Sequence, residues 1–201
     1  MSSAPASHAG AGGPWLALLL VALACCGASG PTALDGGRPD AGVGPAPCAP
    51  DDTPGYEEGD VLLDLHLPGC DGRPVALHDL CGAPASLLVH FFGWCPPCYD
   101  LLEMVNRLAL DHGQSGLRRV VVVAETPAGH RADAAYCQAL QARYQVDATM
   151  VYDPEGRFEA YGTTDLVLVV DGEGRIRFKR QGPSAQEVER AVQEELARDS
   201  R

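Results

Sequence analysis

Two cysteines separated by two prolines, Cys95 and Cys98, constrain the fold of this chain more than any other feature. The run before them, residues 85–92, is rich in aromatic and β-branched residues and predicts a buried strand. Apolar residues recur at helical spacing over 101–109. Cys95 is therefore expected where a strand passes into a helix, a position at which backbone N–H groups and the helix dipole favour a thiolate.

A Cys-x-x-Cys pair in this setting is typical of thiol–disulfide exchange, because the two sulphurs can close a small ring and reopen it. The alternatives are a static disulfide and one half of a zinc site. A zinc site usually needs a second Cys or His pair at matching spacing, and the sequence offers no obvious one. Redox chemistry is the interpretation that the pattern favours.

The remaining pattern predicts alternating strands and helices. Strands are expected over 117–124, 149–153, 166–170 and 175–180, and helices over 131–144 and 183–198. A β-hairpin formed by 61–67 and 74–77 is expected ahead of them.

The segment Val89 to Cys98 resembles the active-site segment of thioredoxin-fold proteins. It is most similar to the exported TlpA/ResA-like, or redoxin, branch, whose pattern is V-N-F-W-A-x-W-C-x-x-C, and Leu77 to Gly82 is similar to its L-x-D-L-x-G stretch. The resemblance extends from Gly59 to the C-terminus. It implies an α/β thioredoxin-like fold, a central mixed sheet flanked by helices, with the hairpin as an N-terminal extension. It also implies a thiol–disulfide oxidoreductase without an organic cofactor.

Within that family pattern, each residue of the motif has an expected role. Cys95 would be the attacking thiolate, and Cys98 would resolve the mixed disulfide. Trp94 would pack beside the motif. Pro96 and Pro97 lack N–H groups, so fewer backbone donors face the thiolate, and a reducing rather than strongly oxidising protein is expected.

The resemblance implies protein disulfides as substrates, with apocytochrome c or other exported proteins among them, and a membrane thiol as the electron donor. A formal net charge of −12 argues against a nucleic-acid partner.

Residues 1–26 are expected to be a signal peptide of the lipoprotein type. The apolar core over 15–24 is too short for a membrane span, and Cys25 or Cys26 would carry the lipid. No Lys or Arg precedes that core, which is unusual for a signal peptide. The alternative is ordinary cleavage near residues 28–30.

Three segments with different functions are thus predicted. The signal segment is followed by a Gly/Pro-rich flexible tether over 27–55 and by the thioredoxin-like domain over 56–201. Eight cysteines indicate an oxidising compartment. The expected location is the bacterial periplasm or cell envelope, with membrane attachment only through the lipid anchor.

The cysteines outside the motif have separate expectations. Cys70 and Cys81 flank the second strand of the predicted hairpin, and a structural disulfide between them is expected. Cys48 is expected either to be unpaired or to pair with another cysteine. Cys137 is expected to be a small buried hydrophobe within a helix.

Two residues depart from the family pattern beside the motif. The family carries a cis-proline before the strand of its last hairpin, and alignment on Val170 and Asp171 puts Asp165 there, in a loop about two residues shorter than usual. A carboxylate opposite Cys95 would oppose ionisation of its thiol and repel an acidic partner. His90 aligns with a buried polar residue of the family, and it is expected either to move protons for Cys98 or to be a hydrogen-bonded core histidine.

Other functions remain open at this point. The first alternative is a copper-binding metallochaperone similar to the SCO proteins, which share the fold and lack the cis-proline but space their cysteines by three residues. A peroxidase is less well supported, because Phe92 stands where that class needs Thr. The third is an inactive interaction domain braced by its cysteines. No metal site is assigned from the sequence.

Overall fold

The computed structural model describes Cys48, Ala49 and residues 53–199. The predicted signal segment with Cys25 and Cys26 lies outside the described residues, as does most of the predicted tether. The elements of the described part follow in chain order. The strands are β1 (Pro54–Gly55), β2 (Val61–Leu62), β3 (His66–Pro68), β4 (Pro74–Ala76), β5 (Ala85–Phe92), β6 (Leu117–Glu125), β7 (Thr149–Tyr152), β8 (Leu166–Asp171) and β9 (Ile176–Gln181). The α-helices are α1 (Pro96–His112), α2 (Ala134–Tyr144) and α3 (Ala185–Asp199), and short 3-10 helices cover Leu77–Leu80, Gly113–Ser115 and Arg157–Tyr161.

The main sheet has five strands in the order β7-β6-β5-β8-β9. Strands β5, β6 and β7 are parallel, whereas β8 and β9 pair antiparallel to their neighbours. All eight residues of β5 are buried, because this central strand is covered on both faces. The predicted α/β fold with a mixed sheet flanked by helices is confirmed.

Side chains along the sheet alternate between two apolar clusters, one on each face. The first cluster contains Leu87, Val89 and Phe91 of β5 together with residues of all three α-helices. The second contains Leu88 of β5, Phe158 and residues of the N-terminal strands. The sheet therefore carries its α-helices on one face and the N-terminal extension on the other.

Helix boundaries follow local signals. Helix α2 begins at Ala134, three residues later than predicted, because the Asp133 side chain accepts a hydrogen bond from the Tyr136 N–H at 2.8 Å and caps the helix. Helix α1 runs to His112, as expected because no kinking proline follows the second cysteine of the motif.

The N-terminal hairpin is shorter than predicted. Strands β3 and β4 pair antiparallel from His66 opposite Ala76 to Pro68 opposite Pro74. Val61–Leu62 instead forms β2, which pairs in parallel with β1. Strand β1, Cys48 and Ala49 all lie within the tether predicted over 27–55. The N–H of Ala49 donates to Glu173 O at 3.0 Å. The packed structure thus begins before residue 56.

The predicted disulfide between Cys70 and Cys81 is wrong. Cys81 is bonded to Cys48, with Cα atoms 5.3 Å apart, and Cys70 is bonded to Cys137, with Cα atoms 5.4 Å apart. Cys70 lies at the hairpin tip, where its N–H donates to Met150 O of β7 at 2.9 Å, so it faces the neighbouring helix α2. Strand β4 and the following 3-10 helix carry Cys81 away from that tip. Cys137 is buried as predicted, but it is bonded rather than free.

Candidate active site

The Cys-x-x-Cys pair lies where β5 passes into α1, as predicted. Cys95 is the N-cap residue of α1, and Pro96 occupies the first helical position, where a missing N–H removes no helical hydrogen bond. Cys95 and Cys98 are joined by a disulfide, with Cα atoms 5.4 Å apart. Cys95 is 4% exposed and Cys98 is 0% exposed, so both cysteines are buried and Cys95 is slightly the more accessible of the two.

Backbone hydrogen bonds close the turn around the two sulphurs. The Cys95 N–H donates to Phe92 O and the Cys98 N–H donates to Cys95 O, both at 3.1 Å. Because Pro96 and Pro97 have no N–H, the first turn of α1 directs few free donors at Cys95. This geometry agrees with the sequence argument for limited thiolate stabilisation.

Trp94 lies beside the disulfide with 47% of its surface exposed. Its Nε1–H donates to Glu125 Oε2 at 2.6 Å, and its ring lies 5.4 Å from that of Phe92. Glu125 ends β6, and its carbonyl also accepts the Gly93 N–H at 2.8 Å. Sequence reasoning missed Glu125, although the carboxyl end of a parallel strand next to β5 was a predictable position for a site residue.

The glycine before Trp94 is held between two tyrosines. Tyr99 Oη–H donates to Gly93 O at 2.7 Å. A Cβ at Gly93 would lie 2.7 Å from Pro127 N and would also clash with the Tyr136 hydroxyl. Burial, with Tyr99 nearby, raises the pKa of Tyr136 well above its ordinary value, which keeps that hydroxyl neutral. Glycine is therefore required at this approach to the motif.

His90 is completely buried on β5. Its Nδ1 lies 3.0 Å from Gly162 O, and since a carbonyl only accepts, Nδ1 carries the proton. Its Nε2 has no hydrogen-bond partner among the described residues, and its ring packs edge-on against Phe92 and Phe158. Burial lowers the pKa of His90 from 6.5 to about 4, although the bond to Gly162 acts in the opposite direction.

The location of His90 favours the core role over the proton-transfer role. Two residues after Leu88 on β5, it faces the second apolar cluster, whereas Cys98 belongs to the first. The described structure records no hydrogen bond between His90 and either sulphur of the motif. What His90 holds in place is Gly162, at the start of the loop that leads to Asp165.

Asp165 lies in the loop before β8 with a left-handed backbone, φ 49°. Its carbonyl accepts the Gly182 N–H at 3.1 Å, which ties the loop to the end of β9. Asp165 and Pro97 line the same cavity of about 250 Å³. Since Pro97 lies between Cys95 and Cys98, the aspartate is next to the turn that carries the two cysteines. Proline, whose φ is fixed near −65°, could not adopt this backbone conformation.

A charged cluster borders the Trp94 side of the site. Arg131 pairs with Glu159 in a short contact and lies 3.7 Å from Glu125. The hydrogen bond from Arg131 holds the pKa of Glu159 below its usual range. Glu125 is therefore held between an indole N–H and a guanidinium.

Neither a metal site nor a membrane helix is found in the part of the chain that the structure describes. Over these residues no group of three or more His, Cys, Asp or Glu is placed to hold a metal ion. Among the same residues, no helix has the length and apolar character needed to cross a bilayer.

Comparison with known families gives one match. The family profile of Redoxin matches residues 49–196. No curated protein shows significant similarity to the chain.

Several solved structures share the fold at low sequence identity. A Chlorobium tepidum protein proposed to be the thiol:disulfide interchange protein DsbE is 22% identical, with a TM-score of 0.61, covering 70% of this chain and 99% of its own. A secreted Mycobacterium tuberculosis disulfide oxidoreductase homologous to E. coli DsbE is 19% identical, with a TM-score of 0.54, covering 65% and 96%. DsbF of the same organism is 22% identical, with a TM-score of 0.56, covering 66% and 96%. These similarities confirm the thioredoxin-like fold.

Proposed function

The chain belongs to the Redoxin family, and we propose that it is an exported thiol–disulfide oxidoreductase that reduces protein disulfides through Cys95 and Cys98. Family and fold confirm the predicted enzyme class, a thioredoxin-like thiol–disulfide oxidoreductase. The residues that act, the substrates and the location are the content of the proposal.

One observation carries the proposal. The Cys95–Cys98 disulfide lies at the strand-to-helix junction, whereas the two other disulfides of the described residues join distant parts of the chain. A pair separated by 3 positions can open without releasing any long-range constraint on the fold. It is therefore the disulfide best suited to cycle.

The reaction proceeds by two exchanges from the reduced form. The Cys95 thiolate attacks one sulphur of a substrate disulfide, forming a mixed disulfide, while the other substrate sulphur leaves as a thiolate and takes a proton from water. Cys98, after losing its proton to solvent, then attacks the sulphur of Cys95 and releases the second substrate thiolate. The substrate gains two electrons, and the enzyme is left with the Cys95–Cys98 disulfide.

A thiol donor must return the enzyme to its reduced form by the same chemistry. We propose that a membrane dithiol supplies these electrons and that exported proteins, including apocytochrome c, supply the disulfides. The secreted Mycobacterium tuberculosis relative and the disulfides Cys48–Cys81 and Cys70–Cys137 support an oxidising, exported location. Attachment through a lipid on Cys25 or Cys26 is part of the same proposal.

Reduction of insulin by dithiothreitol, followed by turbidity, tests the function. The wild-type domain should accelerate precipitation, and Cys95→Ser should abolish the acceleration because it removes the attacking sulphur. Cys98→Ser should instead accumulate a mixed disulfide on Cys95, detectable by non-reducing mass spectrometry. Glu103→Gln, an exposed change on the same helix, is the matched control and should retain activity. Wild-type activity no greater than that of Cys95→Ser would disprove the proposal.

A further inference from the structure

A groove adjoins the turn that carries Cys95 and Cys98. The name acidic groove is used here for the cavity of about 250 Å³ whose wall includes Pro97, Leu101, Met104, Pro183, Asp100 and Asp165. Four of these residues are apolar, and the two others carry carboxylates. Because Pro97 lies between the two cysteines, a segment bound in the acidic groove would lie next to the disulfide.

Both carboxylates of the acidic groove lack a cationic partner within the described chain. Neither Asp100 nor Asp165 has an ion pair or a side-chain hydrogen bond with a described residue. Other acidic residues are paired: Asp171 lies 2.7 Å from Arg177, and Glu57 lies 2.9 Å from Lys179. The charge of the acidic groove is thus available to a ligand.

The backbone around Asp165 limits the region in which that charge can lie. The left-handed conformation of Asp165, its carbonyl bond to the Gly182 N–H and the His90–Gly162 bond at the other end of the loop all restrain the segment. With the backbone already ordered, only the side-chain rotamers of Asp165 lose freedom when its carboxylate meets a cation, which favours specific recognition.

We infer that the acidic groove receives a segment of the substrate protein in which Lys or Arg stands next to the target cysteine, and that Asp100 and Asp165 determine this specificity. The inference rests on the proposed function. The apolar wall would pack against the aliphatic stem of the long cationic side chain, while the carboxylates pair with its charged end. The size of the cavity suits one or two side chains rather than a folded surface.

Disulfide-bonded peptides that differ at one position test the inference. Three peptides carry Lys, Gln or Glu beside the attacked cysteine, and the second-order rate of their reduction by the pre-reduced domain is measured at low salt. Two carboxylates that attract Lys and repel Glu should make the Lys peptide react about tenfold faster than the Glu peptide. High salt should reduce that ratio, because screening weakens exposed charge pairs.

The variant Asp100→Asn/Asp165→Asn removes both charges. Asparagine tolerates the left-handed backbone of Asp165, so the loop should keep its conformation. The ratio of Lys to Glu rates should fall to within about twofold in this variant. Glu103→Gln removes one charge from α1 outside the acidic groove and should keep the wild-type ratio.

An uncharged substrate, 2-hydroxyethyl disulfide, distinguishes a failure of the inference about the acidic groove from a failure of the proposed function. If the domain reduces it but treats the three peptides alike, or if the double variant keeps the wild-type ratio, the inference about the acidic groove is wrong. If the domain reduces neither this compound nor any peptide, the proposed function itself is wrong, and the inference falls with it.

Discussion

Removing the titration of His90 should change how the stability of the domain depends on pH. The imidazole is completely buried, its Nδ1–H donates to Gly162 O, and its Nε2 faces no partner among the described residues. Protonation would put a cation between two aromatic rings. His90→Asn keeps a donor at the position of Nδ1 and cannot take up a proton near neutral pH.

The magnitude follows from the two pKa values. The pKa of His90 falls from 6.5 to about 4 in the folded protein, chiefly through burial. Between these values the unfolded chain binds a proton that the folded chain does not, so stability falls as the pH falls. The wild type should lose about 3 kcal/mol from this group between neutral pH and pH 4, and about 2 kcal/mol by pH 5.

Urea unfolding at a series of pH values, with all disulfides oxidised, measures this effect. Other groups titrate in both proteins, so the quantity of interest is the difference in the free energy of unfolding between wild type and His90→Asn. The variant leaves a small void, which adds a cost that does not vary with pH. The control His130→Gln removes an exposed imidazole and should follow the wild-type profile. A difference between wild type and His90→Asn that stays constant from pH 7 to pH 4 would refute the argument.

Two further predictions concern residues that sequence reasoning did not pair. Replacing Cys70 and Cys137 together by Ala should lower the free energy of unfolding by about 4 kcal/mol, because a cross-link over 67 positions is lost. Denaturant titration without reductant measures this change, and an unchanged midpoint of the unfolding transition would contradict it. Glu125→Ala should slow insulin reduction several-fold, because the hydrogen bond that holds Trp94 is lost, while the free energy of unfolding should fall by only about 1 kcal/mol. Equal activity in the wild type and this variant would show that Glu125 has no role in the site.

Local patterns were sufficient to predict most of the fold. The continuous apolar run of β6 and the Gly-rich turn between β8 and β9 indicated buried and hairpin strands, and both are present. The position of Cys95 at the junction of β5 and α1 also followed from the pattern alone. These features depend on residues close in sequence, for which periodicity and turn chemistry are informative.

Contacts between distant segments could not be predicted in the same way. Cys70 and Cys81 are near in sequence, but the hairpin tip docks on β7 and so brings Cys70 to Cys137 of α2, 67 positions away. Glu125 was missed for a related reason. Its role depends on the register of β6 against β5, which places the end of one strand beside the Trp94 that follows the other.

The residue at position 165 is best understood together with the length of its loop. The sequence predicts a loop about two residues shorter than the family pattern, and the backbone turns sharply there, with positive φ at Gly162 and at Asp165. Proline cannot take a positive φ, whereas aspartate is among the residues that tolerate it best. The positive φ observed at Asp165 therefore excludes proline at this position and suits a small polar residue. Asp165 shares a cavity with Pro97, so under the proposed function this backbone conformation brings a carboxylate to the place where a substrate would approach Cys95.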